Sequence, residues 1–335
     1  MGVERRLSVR TFATVTNVLA LLVLSGSVMC ATVALGWWVI DHFPFSVAAS
    51  FHRWISLALA VLAAVILVAA IATARRSNAV VAGVVTIASL SVTLLSAVAT
   101  TAPVSVEAMV DKESSSVRVA AWNVESRGTW EQLSWLIGAT EADVIVLSEQ
   151  YLDVRSPINN ARLAGYQLLS DPNVAVTVLI SEKLGEYRVA GADLSGATSG
   201  VVVEPVDGHS GSPRIVGVHV TRQSLIGGAT LWERGLDWVA EQCSGTGPTI
   251  AAGDFNSTVE NLPGGRLGEC RLSGSSSRGE AASWPSSWPP YFGIGIDRGM
   301  ASGELHAANA FTLDARPDWS DHRPVVVDFE PAEDG

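Results

Sequence analysis

The spacing of hydrophobic and polar positions changes character near residue 103. Before that point stand three uncharged apolar runs, residues 18–40, 54–74 and 79–102. Each is close to the roughly 20 residues that a helix needs to cross a hydrocarbon core. They predict three transmembrane helices in a membrane domain over residues 1–103. The first run is longer than the roughly 7 to 15 apolar residues of a signal peptide, and two more follow it, so a cleaved leader does not account for this segment. Met29 precedes Cys30 where a lipoprotein cleavage site wants a small residue. Arg5, Arg6 and Arg10 lie before the first run and Arg75 and Arg76 between the second and third, whereas the first loop holds only Arg53. The exit segment holds Glu107, Asp111, Lys112 and Glu113. The positive-inside rule therefore puts the N-terminus and second loop in the cytoplasm, and an odd number of spans puts the rest outside.

After a polar tether, residues 104–116, the period shortens. Residues 117–122 alternate as a strand, and Thr129 to Gln132 form a capping box that opens a helix with Trp130, Leu133, Leu136 and Ile137 on one face. Residues 144–147, 174–180, 200–205 and 214–220 read as strands separated by Gly, Asp and Ser turns. A second capping box, Thr230 to Glu233, predicts a helix with Trp232, Leu236 and Val239 inward, before a strand at 248–252. At 325–329, Val325, Val327 and Phe329 alternate with Val326 and Asp328. Two groups of strands, each followed by helices, predict two sheets packed face to face with helices outside, in one α/β domain over residues 117–335. Residues 273–290, rich in Ser, Pro and Trp, predict an irregular loop; Trp284, Trp288 and Tyr291 argue against a disordered insert.

Composition sharpens this division. The chain is 48% hydrophobic and 16% charged, and residues 1–102 hold only six of its 22 Lys and Arg and two of its 33 Asp and Glu. The acidic excess thus falls on the outer domain, which has no basic footprint for a nucleic-acid backbone. That weighs against a nucleic-acid partner, although a divalent cation can supply positive charge locally. Cys243 and Cys270 form an even pair in this part; one disulfide or two buried thiols would satisfy it equally.

The candidate chemistry sits where strands end. Asn123 and Glu125 follow the first strand, Glu149 ends ADVIVLSEQ, and His219 lies near the end of RIVGVHVT. Asp254 and Asn256 follow TIAA, Asp297 follows GIGI, and Asp321 and His322 precede PVVVDF. Any one of these is ordinarily a turn former, but turn formers do not supply several carboxylates and two histidines together. Carboxylates and amides without thiols suit Mg²⁺ or Mn²⁺ rather than zinc. A hard cation beside two histidines suits hydrolysis of a phosphoester or pyrophosphate. No G-x-x-x-x-G-K-[ST] occurs, which argues against a nucleotide cofactor, and no G-x-S-x-G serves a serine hydrolase.

In order and spacing, WNVE, SEQ, HVT, GDFN, ID and SDHRP resemble the endonuclease/exonuclease/phosphatase superfamily, which includes DNase I-like nucleases, neutral sphingomyelinases and inositol phosphatases. The resemblance covers residues 117–329 and implies a four-layered α/β/β/α sandwich. It implies that Glu149 is the principal metal ligand, with Asn123 contacting both metal and phosphate, and that Glu125 and Asp321 extend the metal set. Glu125 stands where the family often has Asn or Asp. By the same resemblance Asp254 positions or activates the attacking water and Asn256 binds phosphate beside it. His219 contacts phosphate with Asp297 as its orienter, and His322, held by Asp321, is the second active-site histidine, acting on phosphate or as base. Arg298 follows Asp297 where the family often has His.

The combination of three membrane helices with an outward domain of this kind resembles the actinobacterial membrane proteins of the VanJ-type teicoplanin-resistance group. That resemblance implies a lipid-phosphate substrate such as undecaprenyl pyrophosphate, with the bilayer as a partner. A membrane-tethered nuclease or phosphodiesterase would use the same residues, and a domain that only binds is the third reading.

Overall fold

The computed structural model describes residues 15, 18–30, 45–72, 80–91, 116–152, 157–206, 212–224, 228–245, 247–262, 266–271, 282–316 and 318–331. The chain divides into two compact units, one N-terminal and one holding the α/β domain. The expected tether, apart from Ser116, and parts of all three apolar runs (31–40, 73–74, 79 and 92–102) lie outside the described residues.

The N-terminal unit contains α1 (Val18–Cys30), α2 (Phe45–Ser50), α3 (His52–Ala72) and α4 (Val80–Ser91). Among the described residues only α3 is long and apolar enough to cross a membrane; α1 and α4 are described over shorter apolar stretches. Burial in this unit is inverted relative to a water-soluble bundle. Ala20, Val23, Ala63, Ile66, Ala82 and Val85 pack together, and Ser27, Ser56, Thr86 and Ser89 are buried beside them. The larger Leu21, Leu22, Val61, Val65, Val68, Val84 and Ile87 point outward and are exposed. Polar side chains join the helices: Ser27 Oγ lies 3.0 Å from Ser89 Oγ, and Thr86 Oγ1 donates to the Ala63 carbonyl at 3.0 Å.

The second unit is built on two mixed sheets. The strands are β1 (Val117–Asn123), β2 (Val144–Ser148), β3 (Tyr166–Leu169), β4 (Val176–Ser181), β5 (Tyr187–Asp193), β6 (Thr198–Pro205), β7 (Arg214–Val220), β8 (Thr249–Asp254), β9 (Asp297–Ser302), β10 (Leu305–Thr312) and β11 (Val325–Pro331). One sheet runs β10-β11-β1-β2-β4-β3 and the other β5-β6-β7-β8-β9. Each has one parallel pair near its centre, β1 with β2 and β7 with β8, bridged in sequence by α5 (Trp130–Thr140) and α6 (Gly228–Gln242) respectively.

Alternation along the strands divides the interior into three packed layers of side chains. Val119, Val146, Val178, Val201, Ile215, Ile250, Val325, Val327 and Phe329 fill the space between the sheets. Ala120, Trp122, Ile145, Leu147 and Val326 point the other way, onto Leu133 and Leu136 of α5. Val216, Val218, Ala251 and Phe255 face Trp232, Leu236 and Val239 of α6. The four-layered sandwich follows directly, because each strand has two apolar faces that must both be covered.

Local details depart from the sequence reading in places. The capping box at Thr129 forms, and the Gln132 amide has two jobs: its Oε1 accepts from the Thr129 amide at 2.7 Å and its Nε2 donates to the Trp319 carbonyl at 3.2 Å. The box expected at Thr230 does not open its helix, since α6 begins two residues earlier at Gly228. The expected strand at 174–180 runs Val176–Ser181, and β3, β5, β9 and β10 were not foreseen. On the helix-facing side of β1, Arg118 Nε and Nη2 donate to both oxygens of buried Asp328 at 2.6 and 3.0 Å. Cys243 at the end of α6 and Cys270 are joined by a disulfide, which settles the choice left open by sequence. The bridge closes a loop across 27 positions, so a Cys243→Ala/Cys270→Ala variant should lose about 3 kcal/mol of stability, measured as lowered resistance to urea in non-reducing buffer.

Candidate active site

The two parallel pairs end at the same edge of the sandwich. Asn123 of β1 is in register with Ser148 of β2, and His219 of β7 with Asp254 of β8. The antiparallel neighbours run the other way, so their starts arrive at this edge: Asp297 opens β9 opposite Asp254, and Asp321 and His322 precede β11 beside β1. Asp297, expected to follow a strand, begins one instead. C-terminal ends of parallel strands are where open α/β sheets gather ligand groups, and here two such ends face each other.

Ser148 and Asn123 stitch the sheets together at this edge. Ser148 Oγ donates to the Val218 carbonyl at 2.9 Å and accepts from the Asp254 amide at 3.2 Å. The buried Asn123 side chain donates through Nδ2 to Glu149 Oε1 and to Asp254 Oδ2, both at 3.0 Å, while its Oδ1 accepts from the Glu125 amide at 3.0 Å. One amide therefore fixes two carboxylates from different sheets. Asp254 is 1% exposed and its Oδ1 also accepts from the Asn256 amide at 2.8 Å. The Asn256 side chain donates to the Val220 carbonyl at 2.8 Å, so its nitrogen braces β7.

The backbone is forced into uncommon conformations around these groups. Glu125, Ser126, Glu149 and Asn256 all have positive φ (48°, 59°, 57° and 46°), a region that costs L-residues roughly 1–2 kcal/mol each. Gly253 in GDFN has φ 139°, and a Cβ built on it would lie 2.0 Å from the Val218 carbonyl oxygen, so only glycine fits between β7 and Asp254.

The two histidines sit in different settings. His219 Nε2 is 3.5 Å from Glu149 Oε1 and 3.9 Å from Asp254 Oδ2. His322 Nδ1 is bonded to Asp297 Oδ2 at 2.7 Å, and its Nε2 stands 3.6 Å from Asp321 Oδ1. The expected pairing of Asp297 with His219 is thus corrected: Asp297 orients His322, because β9 and the turn before β11 meet at this edge while His219 faces Glu149. Asp321 flanks the opposite ring nitrogen of His322 instead of being its main holder. Behind the ring, the Trp122 indole donates to the His322 carbonyl at 3.0 Å, and Ser320 Oγ accepts from its amide at 3.0 Å while donating to the Asn123 carbonyl at 2.6 Å.

Electrostatics follow from this packing. Burial pulls the His322 imidazole down, but the charge and hydrogen bond of Asp297, with Asp254 and Asp321 nearby, outweigh it and push its pKa to about 10. Burial drives the Asp297 carboxyl up. The side chains of Glu125 and Asp321 hydrogen-bond to each other, and that contact raises the Glu125 carboxyl above its ordinary value. Partial burial pulls Asp321 up, yet the bonds from Glu125 and the Trp284 indole prevail and hold it below the usual range.

Every residue expected at the site is brought to this edge. Sequence reasoning missed Ser148, Ser283, Trp284 and Ser320, whose hydrogen bonds hold the charged groups in place. Ser148 and Ser320 stand inside the SEQ and SDHRP stretches and were legible there by position; Ser283 and Trp284 carried no such signal. Arg298, in place of the family's usual His, is buried, donates to the Ser257 and Gly295 carbonyls, and lies 5.8 Å from the Phe255 ring centroid. It braces the loops on either side of Asp254 and Asp297.

A cation fits this donor set. Among the described residues Asp254, Asp297 and His322 bring possible ligand atoms within 4.8 Å of one another. His322 Nδ1 and Asp297 Oδ2 already bind each other; the carboxylates of Glu149 and Asp321 lie at the same edge, beside Asn123 and His322. The contact between the Glu125 and Asp321 side chains is one that a divalent cation can take over.

Comparison with known proteins bears on the family. Residues 120–322 match the Endonuclease/Exonuclease/phosphatase family. Similar solved structures include an endonuclease/exonuclease/phosphatase from Beutenbergia cavernae DSM 12333, at 14% identity over 65% of this chain and 72% of that one, with a TM-score of 0.49. The human Nocturnin catalytic domain with bound sulfate anion is 16% identical over 67% of this chain and 96% of that one, with a TM-score of 0.48. Truncated Caenorhabditis elegans TDP2 is 16% identical over 66% of this chain and 100% of that one, also at 0.48. No curated protein matches the chain. With the matched segment spanning the strand ends that carry the site, the chain belongs to the endonuclease/exonuclease/phosphatase family.

Proposed function

We propose that the second unit is a divalent-cation-dependent hydrolase of a lipid-linked phosphoester or pyrophosphate, working at the outer face of a membrane. The observation that carries the chemistry is the edge itself: two histidines, each against a carboxylate, converge with Asp254 on one polar rim. Glu149, Glu125, Asp321 and the Asn123 oxygen would hold Mg²⁺ or Mn²⁺. When bound, the cation would neutralise charge on the phosphoryl oxygens.

The chain's own groups supply the rest. Asp254, held by the Asn123 and Asn256 donors, positions the attacking water and accepts its proton. His322, kept protonated by Asp297, offers positive charge and an Nε2 proton to a phosphoryl oxygen, and is therefore unsuited to act as the base. His219, beside Glu149, is placed to protonate the leaving oxygen or to bind phosphate with Asn256. The strain at Glu149 and Asn256 fits groups held in working positions.

The membrane placement has separate support. An N-terminal unit with small and hydroxyl-bearing residues inside and Leu, Val and Ile outside suits lipid, where helices associate through close packing and hydrogen bonds. The three apolar runs and the flanking arginines favour three spans over residues 1–103, a tether at 104–116 and a catalytic domain at 117–335 outside the cytoplasm. The Cys243–Cys270 bridge suits an oxidising compartment. Anchoring raises the effective concentration of a lipid headgroup at the site, and the acidic domain disfavours a nucleic-acid backbone.

The test uses full-length protein in detergent with Mg²⁺, offered either a polyprenyl pyrophosphate or supercoiled plasmid DNA. Release of inorganic phosphate without nicking is expected. Nicking without phosphate release would replace this reading with that of a tethered nuclease.

A further inference from the structure

The loop at residues 282–292 carries no recognisable chemistry in sequence, yet it is tied to the catalytic edge at many points. Its backbone runs beside the Ser320–Arg323 turn: the Ser286 amide donates to the Asp321 carbonyl at 2.6 Å, Ser286 Oγ to the Ser320 carbonyl at 2.7 Å, and the Arg323 amide to the Ser283 carbonyl at 2.7 Å. Ser283 Oγ accepts from the amides of Ile296 and Asp297, both at 3.1 Å. At the centre, the Trp284 indole Nε1 donates to Asp321 Oδ2 at 2.9 Å.

Asp321 needs such a partner. Its side chain is 46% exposed, so packing alone does not fix the carboxylate, while its Oδ1 must face His322 Nε2. An indole N–H on Oδ2, together with the Glu125 contact, orients the carboxylate. The loop that presents this indole is held in turn by Arg323, which is 3% exposed. Its guanidinium donates to Asp314 Oδ1 at 3.0 Å and to the carbonyls of Pro285, Ser286 and Trp288 at 3.1, 2.7 and 2.6 Å. A planar five-donor fork can serve three consecutive-turn carbonyls and a carboxylate at once; an ammonium cannot.

We propose that Trp284 is a positioning residue for the Asp321 carboxylate, and that Arg323 acts as the clamp holding the 282–292 loop so that the indole reaches it. The proposal rests on the reading of Asp321 as part of the cation-binding edge. Groups that orient a metal-binding side chain ordinarily change metal affinity by about 10- to 100-fold when removed.

The test is binding of Mn²⁺ alone to full-length protein in detergent, with free Mn²⁺ counted by electron paramagnetic resonance. Trp284→Phe keeps the ring and loses the N–H, and should raise the Mn²⁺ Kd by about 10- to 100-fold. Asp321→Asn should weaken binding at least as much. The Trp284→Phe/Asp321→Asn double variant should bind no more weakly than Asp321→Asn, because the indole acts through that carboxylate; a merely structural tryptophan would add its own loss. Wild-type affinity in Trp284→Phe alongside weakened binding in Asp321→Asn would overturn the proposal and leave the cation site standing. Wild-type affinity in both Asp321→Asn and Glu149→Ala would remove the cation site and the proposal with it. Should Trp284→Phe fail to fold, Trp284→Leu, which also has no donor, carries the same comparison.

Discussion

His322→Ala should lower turnover of a phosphate substrate by about a hundredfold to ten-thousandfold, the range typical of a positioned proton-transfer or charge-donating group. The effect should lie mainly in kcat, since the imidazolium is aimed at charge that grows as the bond breaks. Its pH dependence has a defined sign. With a pKa raised to about 10, His322 stays protonated through neutral pH, and activity that needs the cation should fall only as pH rises through about 10. The same pairing contributes stability that is fully present below the ordinary histidine value and is lost on crossing about 10. Asp297→Asn removes the charge that raises the pKa while burial, which lowers it, remains. The alkaline limb of a pH–rate profile should then move into or below the neutral range. A limb unmoved in Asp297→Asn would show that the pair does not control the protonation that matters.

Glu149→Ala should reduce turnover by about a thousandfold at ordinary Mg²⁺ concentrations, because it removes the carboxylate that leads the proposed cation set, and several kcal/mol of charge stabilisation go with it. Stability should respond in the opposite sense in a companion variant. Glu149 sits at φ 57°, so Glu149→Gly relieves a left-handed strain and should leave the melting temperature unchanged or raised while activity is lost. A melting temperature that falls sharply in Glu149→Gly would mean that the carboxylate holds the fold together and not the chemistry.

How much of this was visible in the linear chain depends on how local each determinant is. Polar residues at the tips of strongly alternating strands stood out, because Asn123, Glu149, His219, Asp254 and His322 interrupt β-branched runs at their ends. The sandwich was legible for the same reason: Val325, Val327 and Phe329 on one side and Val326 on the other state which faces must be covered. Strands with few β-branched residues were not legible. RGMAS in β9 and LHAANAF in β10 are ordered by their neighbours, through pairing with β8 and β11. The local capping pattern at Thr230 misled because a helix start is set by where the whole chain turns, not by four residues alone.

The partnering of the site residues lay beyond sequence for a geometric reason. Asp297 meets His322 because the start of β9 and the entrance of β11 arrive at one edge from different sheets. The residues that hold Asp321 and Asn123 in place, Trp284 and Ser320, are 37 and 197 positions away from them, and neither separation leaves a mark in a local pattern. Arg323 likewise reads as a neighbour of His322 in the chain, and in space it faces the opposite way, into the loop that positions Asp321.

The proposed chemistry is hydrolysis of a lipid-linked phosphate at this strand-end edge with the help of a divalent cation. Its most direct test is release of inorganic phosphate from a polyprenyl pyrophosphate by full-length wild type, Glu149→Ala and His322→Ala, with and without Mg²⁺. Mg²⁺-dependent release by the wild type and near-complete loss in both variants is expected; full activity in both variants would show that this edge is not the active site.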